Sequence, residues 1–325
     1  MKTIVITGAS GHIGGNLVRA LLDQGERLRV MIHGEDNPAL EGLDVERVKG
    51  DVRDLNSLTR AFEGAELIYH LAALISITGG QNGRVHATNV EGARNVAQAA
   101  LEGGVRRLVH FSSCHAFDLR ATTMILDETA PRPSTNHPAY DQSKAAGEAQ
   151  VRAAIAKGLD AVIVNPSGVI GPNDFAPSRM GEALLSLRDG RLPGLVQGGF
   201  DFVDVRDVVR SAIVAAERGR TGESYLLSGH YCTVADLMRL AAEVCGSPAP
   251  RLVTPMWLAR IGAPFITAYS RLSRSEPIYT LEALHALTLD RPLVADKAIE
   301  ELGHDPRPLR DSLRDIFASF EDIAR

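Results

Sequence analysis

The sequence lacks a basic tract, a long apolar run and a cysteine framework, and each absence excludes a class of function. Lysine and arginine total 35 against 40 aspartates and glutamates, a formal net charge of −5. Without clustered cations to neutralise phosphates, nucleic acid is not expected as a partner. No apolar stretch reaches the ~20 residues that span a bilayer, so no membrane partner is expected either. Met1 stands two residues before the first strand signal, which leaves no room for a signal peptide. Cys114, Cys232 and Cys245 are few, odd in number and far apart. They fit a reducing cytoplasm better than a disulfide-bonded protein. The ten histidines show no metal-ligand spacing, so no metal is expected.

What is present reads as an ordinary soluble globular chain, with 45% hydrophobic and 23% charged residues. At 325 residues it can form one large domain, or a core with a smaller lobe.

Lys2–Thr7 (KTIVIT) is a β-branched run suited to a buried parallel strand. It leads straight into Gly8-Ala9-Ser10-Gly11-His12-Ile13-Gly14, after which Ile13, Leu17, Leu21 and Leu22 recur at helical spacing. Strand, glycine loop and helix in that order form the context of a dinucleotide site. Gly8 permits the tight turn, Gly11 admits phosphate to the backbone, and Gly14 lets helix and strand pack closely. The N-terminal end of the helix then faces the anion. The spacing is G-x-x-G-x-x-G, not G-x-G-x-x-G.

Strand and helix signals alternate after that loop. Arg27–His33, Val45–Gly50, Leu67–Leu71, Arg107–Ser113 and Ala161–Val164 read as strands. Leu55–Phe62, His86–Leu101 and a segment from Tyr140 to about Lys157 read as helices. Such alternation predicts an α/β fold with a doubly wound parallel sheet. Beyond Gly171-Pro172, prolines from Pro177 and Pro193 to Pro277 and Pro308 break the pattern into a smaller, irregular lobe. The dinucleotide-binding part is expected over residues 1–171, with elements returning near 202–230, and the substrate lobe mainly over 172–325. No repeat or low-complexity linker is present, so the two parts are expected to interleave.

Tyr140 and Lys144 stand four apart in Ala139-Tyr140-Asp141-Gln142-Ser143-Lys144, on one face of a helix. A free phenol, with a pKa near ~10, exchanges protons poorly at neutral pH. A neighbouring ammonium favours phenolate and is expected to bring that pKa toward working pH. The strand Arg107–Ser113 ends in two hydroxyls at the edge where parallel sheets hold ligands. Ser113 is placed to donate to a carbonyl oxygen as it gains negative charge.

On these motifs the chain resembles the extended short-chain dehydrogenase/reductases, the NAD-dependent epimerase/dehydratase superfamily, along nearly its whole length. The resemblance implies a Rossmann dinucleotide fold and a catalytic set of Ser113, Tyr140 and Lys144, with Asn89 of Asn89-Val90-Glu91-Gly92 supporting the proton path. It also implies cofactor contacts from the loop residues Gly8, Ser10, Gly11, His12, Ile13 and Gly14. Asp51 and Val52 of Gly50-Asp51-Val52-Arg53-Asp54 match the adenine-contacting strand end. Leu71, Ala72 and Ala73 match the segment lining the dinucleotide, and Ser112, Tyr140 and Lys144 join it beside the nicotinamide. Pro166, Gly168 and Val169 of Pro166–Pro172 match the strand end near its amide. His33 and Arg29 favour a 2′-phosphate, hence NADP over NAD; the alternative has Arg29 facing solvent and Glu35, before Asp36, on the ribose.

Arg106–Ser113 and Phe202–Asp207 are similar to the dihydroflavonol-reductase and 3β-hydroxysteroid-dehydrogenase branch. That likeness implies reversible carbonyl–alcohol redox on an apolar or planar small molecule. Epimerases of nucleotide-sugars usually carry an arginine where Gly199-Phe200-Asp201-Phe202 stands, which counts against that alternative, although Arg271 or Arg274 are possible substitutes. Cys114 and His115 replace the acidic residues that assist dehydration in sugar dehydratases. A non-catalytic dinucleotide-binding regulator is the alternative from another class. His115, Phe200 and Trp257 are the candidate substrate contacts, Trp257 within an apolar group that includes Ile266 and Tyr269. A homodimer is implied, built on the two long helices through Ala97, Ala99, Ala100, Ala145, Ala149 and Ala153.

Overall fold

The computed structural model describes residues 3–34, 38–121, 125–192, 194–250, 252–273 and 280–323. Glu35, Asp36, Pro193, Arg274 and Pro277 lie outside the described residues, as do the side chains of Ile266, Tyr269 and Arg271.

Strands β1 (Thr3–Thr7), β2 (Arg27–Ile32), β3 (Glu46–Lys49), β4 (Ala65–His70), β5 (Arg107–Phe111) and β6 (Ala161–Pro166) belong to one sheet. Three short strands follow, β7 (Gly168–Ile170), β8 (Leu195–Val196) and β9 (Gly199–Asp204). The chain then returns to the main sheet with β10 (Ser224–Leu227). The order is β3-β2-β1-β4-β5-β6-β10, with every pairing parallel.

The β-branched alternation of β1 explains why the sheet is covered twice. Ile4 and Ile6 face one side, and Val5 faces the other. On the first side lie α1 (His12–Asp23), α7 (Val205–Arg218) and α11 (Asp296–Leu302). On the second lie α2 (Leu55–Ala61), α4 (Gly92–Glu102) and α5 (Ala139–Ile155). The strand order reverses at β1 and β4, and a crevice forms beyond the carboxyl ends of strands at such a switch point.

The smaller lobe has its own core. It packs α6 (Arg179–Arg188), α8 (Val234–Cys245) and α12 (Leu309–Ile323) around Phe200, Phe202 and Leu226. Its sheets are small: β11 (His230–Thr233) with β9 and β7, and β12 (Val253–Thr254) with β8. Helices α9 (Met256–Ser273) and α10 (Leu281–Ala286) pack on its outer edge.

The helix expected over His86–Leu101 is interrupted. A short turn α3 (Arg84–His86) runs into a π-helical turn at Ala87–Glu91 before α4 begins. Such turns occur frequently at functional sites, and this one carries Asn89. The expected dimer stripe is also divided. Ala97, Ala99 and Ala100 are at most 3% exposed, buried beneath the sheet of their own chain, and so offer no surface to a partner. Among the described residues no helix is long and apolar enough to cross a membrane.

Candidate active site

The glycine loop closes on itself through a hydrogen bond from Gly11 N to Gly8 O, 3.1 Å long. Gly8 has φ +72°, and a Cβ there would stand 2.6 Å from the Ala72 nitrogen. The turn after β4 therefore lies directly against the turn after β1. Thr7 fastens the two: its Oγ1 bonds His70 Nδ1 at 2.7 Å, and its carbonyl accepts Leu71 N at 3.0 Å. Burial pushes His70 down to about 3, so this imidazole is neutral. Helix α1 starts with no side-chain cap and no acidic residue in its first turn, leaving its positive end open to an anion.

A groove runs along these turns in two compartments. One, of about 370 Å³, is lined by Gly8, Ser10, Gly11, His33, Asp51, Val52, Leu71, Ala72 and Ala73. Met31, Arg53, Arg84 and Thr88 line it too, none of them singled out in the sequence. The other, of about 390 Å³, brings Gly11, His12, Ile13 and Gly14 together with Ser112, Ser113, His115, Tyr140, Lys144, Pro166, Gly168, Val169 and Phe200. Ile75, Ser167 and Ser178 complete that wall. Residues from several strand ends and two helices, α1 and α5, thus face a single space, although they are spread over the chain from Gly8 to Phe200.

Two expected groups are elsewhere. Trp257 is 64% exposed on α9 and does not line the groove. Arg29 pairs with Glu46 at 2.9 Å and donates to the carbonyls of Ala61 and Glu63. These bonds tie β2 to the end of α2, so Arg29 is not a phosphate-binding group. Arg53, a cation lining the first compartment, is held on Asp51 at 2.5 Å, with His33 Nδ1 3.7 Å from the same carboxylate. Asp51 lines the groove where it was expected, and Arg53, its neighbour in the same motif, lines it too.

Around Tyr140 the contacts are made by α5. Tyr140 begins the first turn, and Ser143 Oγ donates to its carbonyl at 2.7 Å. Asn89 Nδ2 donates to Ser143 Oγ (2.9 Å) and to Leu74 O (3.0 Å), while its Oδ1 accepts Leu74 N (2.7 Å). The Asn89 side chain thus clamps the strand β4 loop to α5. Close approach of the two helices requires Gly147, where a Cβ would stand 2.4 Å from Asn89 O.

Ser113 Oγ accepts the His115 backbone N–H at 3.2 Å, which leaves its own hydrogen free to donate. The Ser113 carbonyl is held by Asn165 Nδ2 at 3.0 Å, and Asn165 in turn by buried Glu148 at 2.6 Å. Enclosure pushes the Tyr140 phenol above its ordinary range, with the Ser113 hydrogen bond acting in the opposite direction. Lys144 stands one helical turn further along α5. Its ammonium is buried and donates to Phe111 O at 3.0 Å. The expected lowering of the tyrosine by lysine is therefore not seen in the protein alone, because the ammonium is turned to the strand carbonyl.

Burial pushes Lys144 down to about 8, against an opposing pull from Glu148. Its folded pKa lies below the unfolded value, so the unfolded chain binds the extra proton between pH ~8 and ~10.5. Stability must then rise with pH across that window. Removing the amine in Lys144→Met should abolish that rise. Urea unfolding without cofactor should show wild type gaining about 2–3 kcal/mol on the variant between pH 7 and 10. Parallel pH curves would refute the placement of the amine.

A nicotinamide dinucleotide fits this groove on two observations. The glycine turn is a cradle that side chains would fill. The Ser112 hydroxyl is buried in the second compartment with no partner among the described residues. Among the described residues, no three His, Cys, Asp or Glu side chains gather as metal ligands do.

The model of the NAD-dependent epimerase/dehydratase family matches residues 4–228, more than half of the sequence. The chain belongs to that family. As a member it is an enzyme of the oxidoreductase/epimerase type. Sterol demethylase protein B of Methylococcus capsulatus is 37% identical to it over 323 residues, 98% of each chain. A putative dihydroflavonol 4-reductase of Synechocystis is 31% identical over 329 residues, covering 98% of this chain and 94% of the other. Among solved structures it is similar to PA4631, a nucleoside-diphosphate-sugar epimerase from Pseudomonas aeruginosa. The TM-score there is 0.79 at 27% identity, covering 99% of this chain and 98% of that one.

Proposed function

We propose that the enzyme interconverts a carbonyl and a secondary alcohol on a small molecule, with NAD(H) in the groove. The observation that carries this is the convergence of Tyr140, Ser113 and Lys144 in a compartment continuous with the glycine cradle. Gly8, Gly11 and the open end of α1 hold the pyrophosphate. Asp51 and Val52 flank the adenosine, and Ser112, Pro166, Gly168 and Val169 flank the nicotinamide. The bound dinucleotide supplies or accepts the hydride.

The chain's own residues handle the proton and the charge. Tyr140 gives its proton to the substrate oxygen in reduction and takes it back in oxidation. Ser113 donates to the same oxygen and holds it while charge develops. Lys144 fixes the Phe111 carbonyl and the floor of the cleft, and its partly neutral amine is within the range of proton exchange near pH 8. Asn89 positions α5 and the Leu74 loop. Phe200, Val169 and Ile75 present an apolar wall, and no arginine is among the lining residues. That wall supports an apolar substrate of the kind the dihydroflavonol reductase's name implies.

A second reading, epimerisation of a nucleotide-sugar, has specific support in the family name and in the likeness to PA4631. On the comparisons alone it is the better supported of the two. Phe200, which stacks on His115 where a diphosphate would need a cation, speaks against it. Thermal shifts separate them, since a ligand of the native state raises the melting point. Net redox predicts stabilisation by NADH and then by apolar ketones, with NADH consumed. Stabilisation by UDP-glucose in preference to ketones, with no net NADH consumption, would replace the first reading by the second.

A further inference from the structure

His115 does more in this cleft than pack. It sits in a short 3-10 turn, Cys114–Ala116, held by the Ser113 side chain. Its ring stacks on Phe200, centroids 5.6 Å apart at 18°, and meets the edge of Tyr140 at 5.7 Å. Nδ1 lies 3.1 Å from Asp141 Oδ1, an ion-pair contact off the hydrogen-bonding line. Asp141 is 5% exposed and stands in the first turn of α5. Its other oxygen is 3.7 Å from His285 Nε2 on α10. Nδ1 is buried beside this carboxylate, Nε2 has no partner among the described residues, and the residue lines the groove. Imidazole is suited to proton exchange near neutral pH, and a carboxylate packed against one ring nitrogen leaves the other for a substrate.

We propose that His115, positioned by Asp141, is a second acid–base group of the cleft and exchanges the proton on the carbon next to the substrate carbonyl. The inference rests on the carbonyl chemistry proposed above and adds a second activity to it. In a bound ketone, Nε2 takes the proton of the adjacent C–H bond. That bond's electron pair becomes a C=C bond, and the carbonyl pair moves onto oxygen, where the Tyr140 and Ser113 hydroxyls donate to it. Return of the proton from His115 restores the ketone. No oxidant or reductant is consumed. Because the imidazole can exchange its proton with water between the two steps, the carbon acquires solvent hydrogen.

The test uses the full chain with 2-methylcyclohexanone in D2O. Exchange is followed by mass spectrometry of the ketone with NAD+ present, and reduction is followed separately as NADH oxidation with the same ketone. Wild type should incorporate deuterium at the carbons beside the carbonyl well above the buffer rate. His115→Gln should lower the ratio of exchange to reduction by about 100-fold. Asp141→Asn should lower the same ratio, and Asp141→Glu should restore part of it, which a purely structural role would not produce. Melting curves with NADH check that each variant still folds and binds. Exchange at the buffer rate in wild type, or an exchange-to-reduction ratio untouched by His115→Gln, overturns the inference. Loss of NADH oxidation with exchange intact would instead overturn the redox reading and leave the dyad standing.

Discussion

Tyr140→Phe should leave NADH binding intact and remove nearly all turnover, a loss of roughly 100- to 10,000-fold. The substitution removes one hydroxyl and nothing else. The ring keeps its edge contact with His115, and the backbone carbonyl still accepts from Ser143. The hydroxyl bonds to Ser113 and is not part of the glycine turn, so the cofactor-induced rise in melting point should persist. A variant that turns over ketones at the wild-type rate would show that another group delivers the proton. A variant that no longer binds NADH would show that the hydroxyl serves the cofactor first.

Gly14→Ala should be as damaging to binding as Tyr140→Phe is to turnover, by a different route. A Cβ at Gly14 would sit 2.2 Å from Gly8 O and 2.8 Å from Ala9 Cα. Both obstacles are backbone, so relief requires α1 to move off the turn that it should present to phosphate. The expected cost is about 3 kcal/mol, with loss of the NADH-induced thermal shift. Gly15→Ala is the control one position on. There the nearest atoms are the Ala39 Cβ at 3.4 Å and the flexible Arg19 guanidinium at 3.6 Å. That variant should bind normally and gain up to about 1 kcal/mol, because alanine favours a helix over glycine. If the two substitutions behave alike, close approach of α1 to the loop is not what the third glycine provides.

These contrasts show which parts of the molecule its sequence discloses. The glycine loop, the strands on either side of it and the Tyr140–Lys144 pair are local patterns, and local patterns carry into space unchanged. The parallel order of the sheet follows from alternation and chain length, and β10 returns to its edge beside β6. Asn89 was identifiable, but its π-helical turn and its clamp on Leu74 were not, since periodicity cannot register one inserted residue. Arg29 misled because an arginine on a strand is equally suited to a ligand or to the carbonyls of a neighbouring helix; its bonds to Ala61 and Glu63 decide that only in three dimensions. Trp257 misled because apolar bulk in a helix says nothing of which way the helix faces. Arg53 and the Arg84–Thr88 turn reach the first compartment from two separate segments, a convergence no spacing rule contains. Asp141 was in plain view beside Tyr140, yet its partner His115 lies 26 positions earlier and meets it only through the turn after β5.

The alanines of α4 teach the same lesson about partners. Their small size suits close packing between subunits and within one subunit equally, and here Ala97, Ala99 and Ala100 are spent inside the chain. Ala149 and Ala153 remain on the exposed side of α5.

Label transfer tests the central claim most directly: that one cleft passes hydride to a carbonyl carbon while Tyr140 serves its oxygen. NADH deuterated at C4 is supplied with an apolar ketone, and the alcohol is analysed by NMR. The account predicts deuterium bonded to the carbinol carbon with wild type and no labelled alcohol with Tyr140→Phe. Labelled NADH left unconsumed across ketones, while UDP-glucose is epimerised by the same preparation, would contradict it.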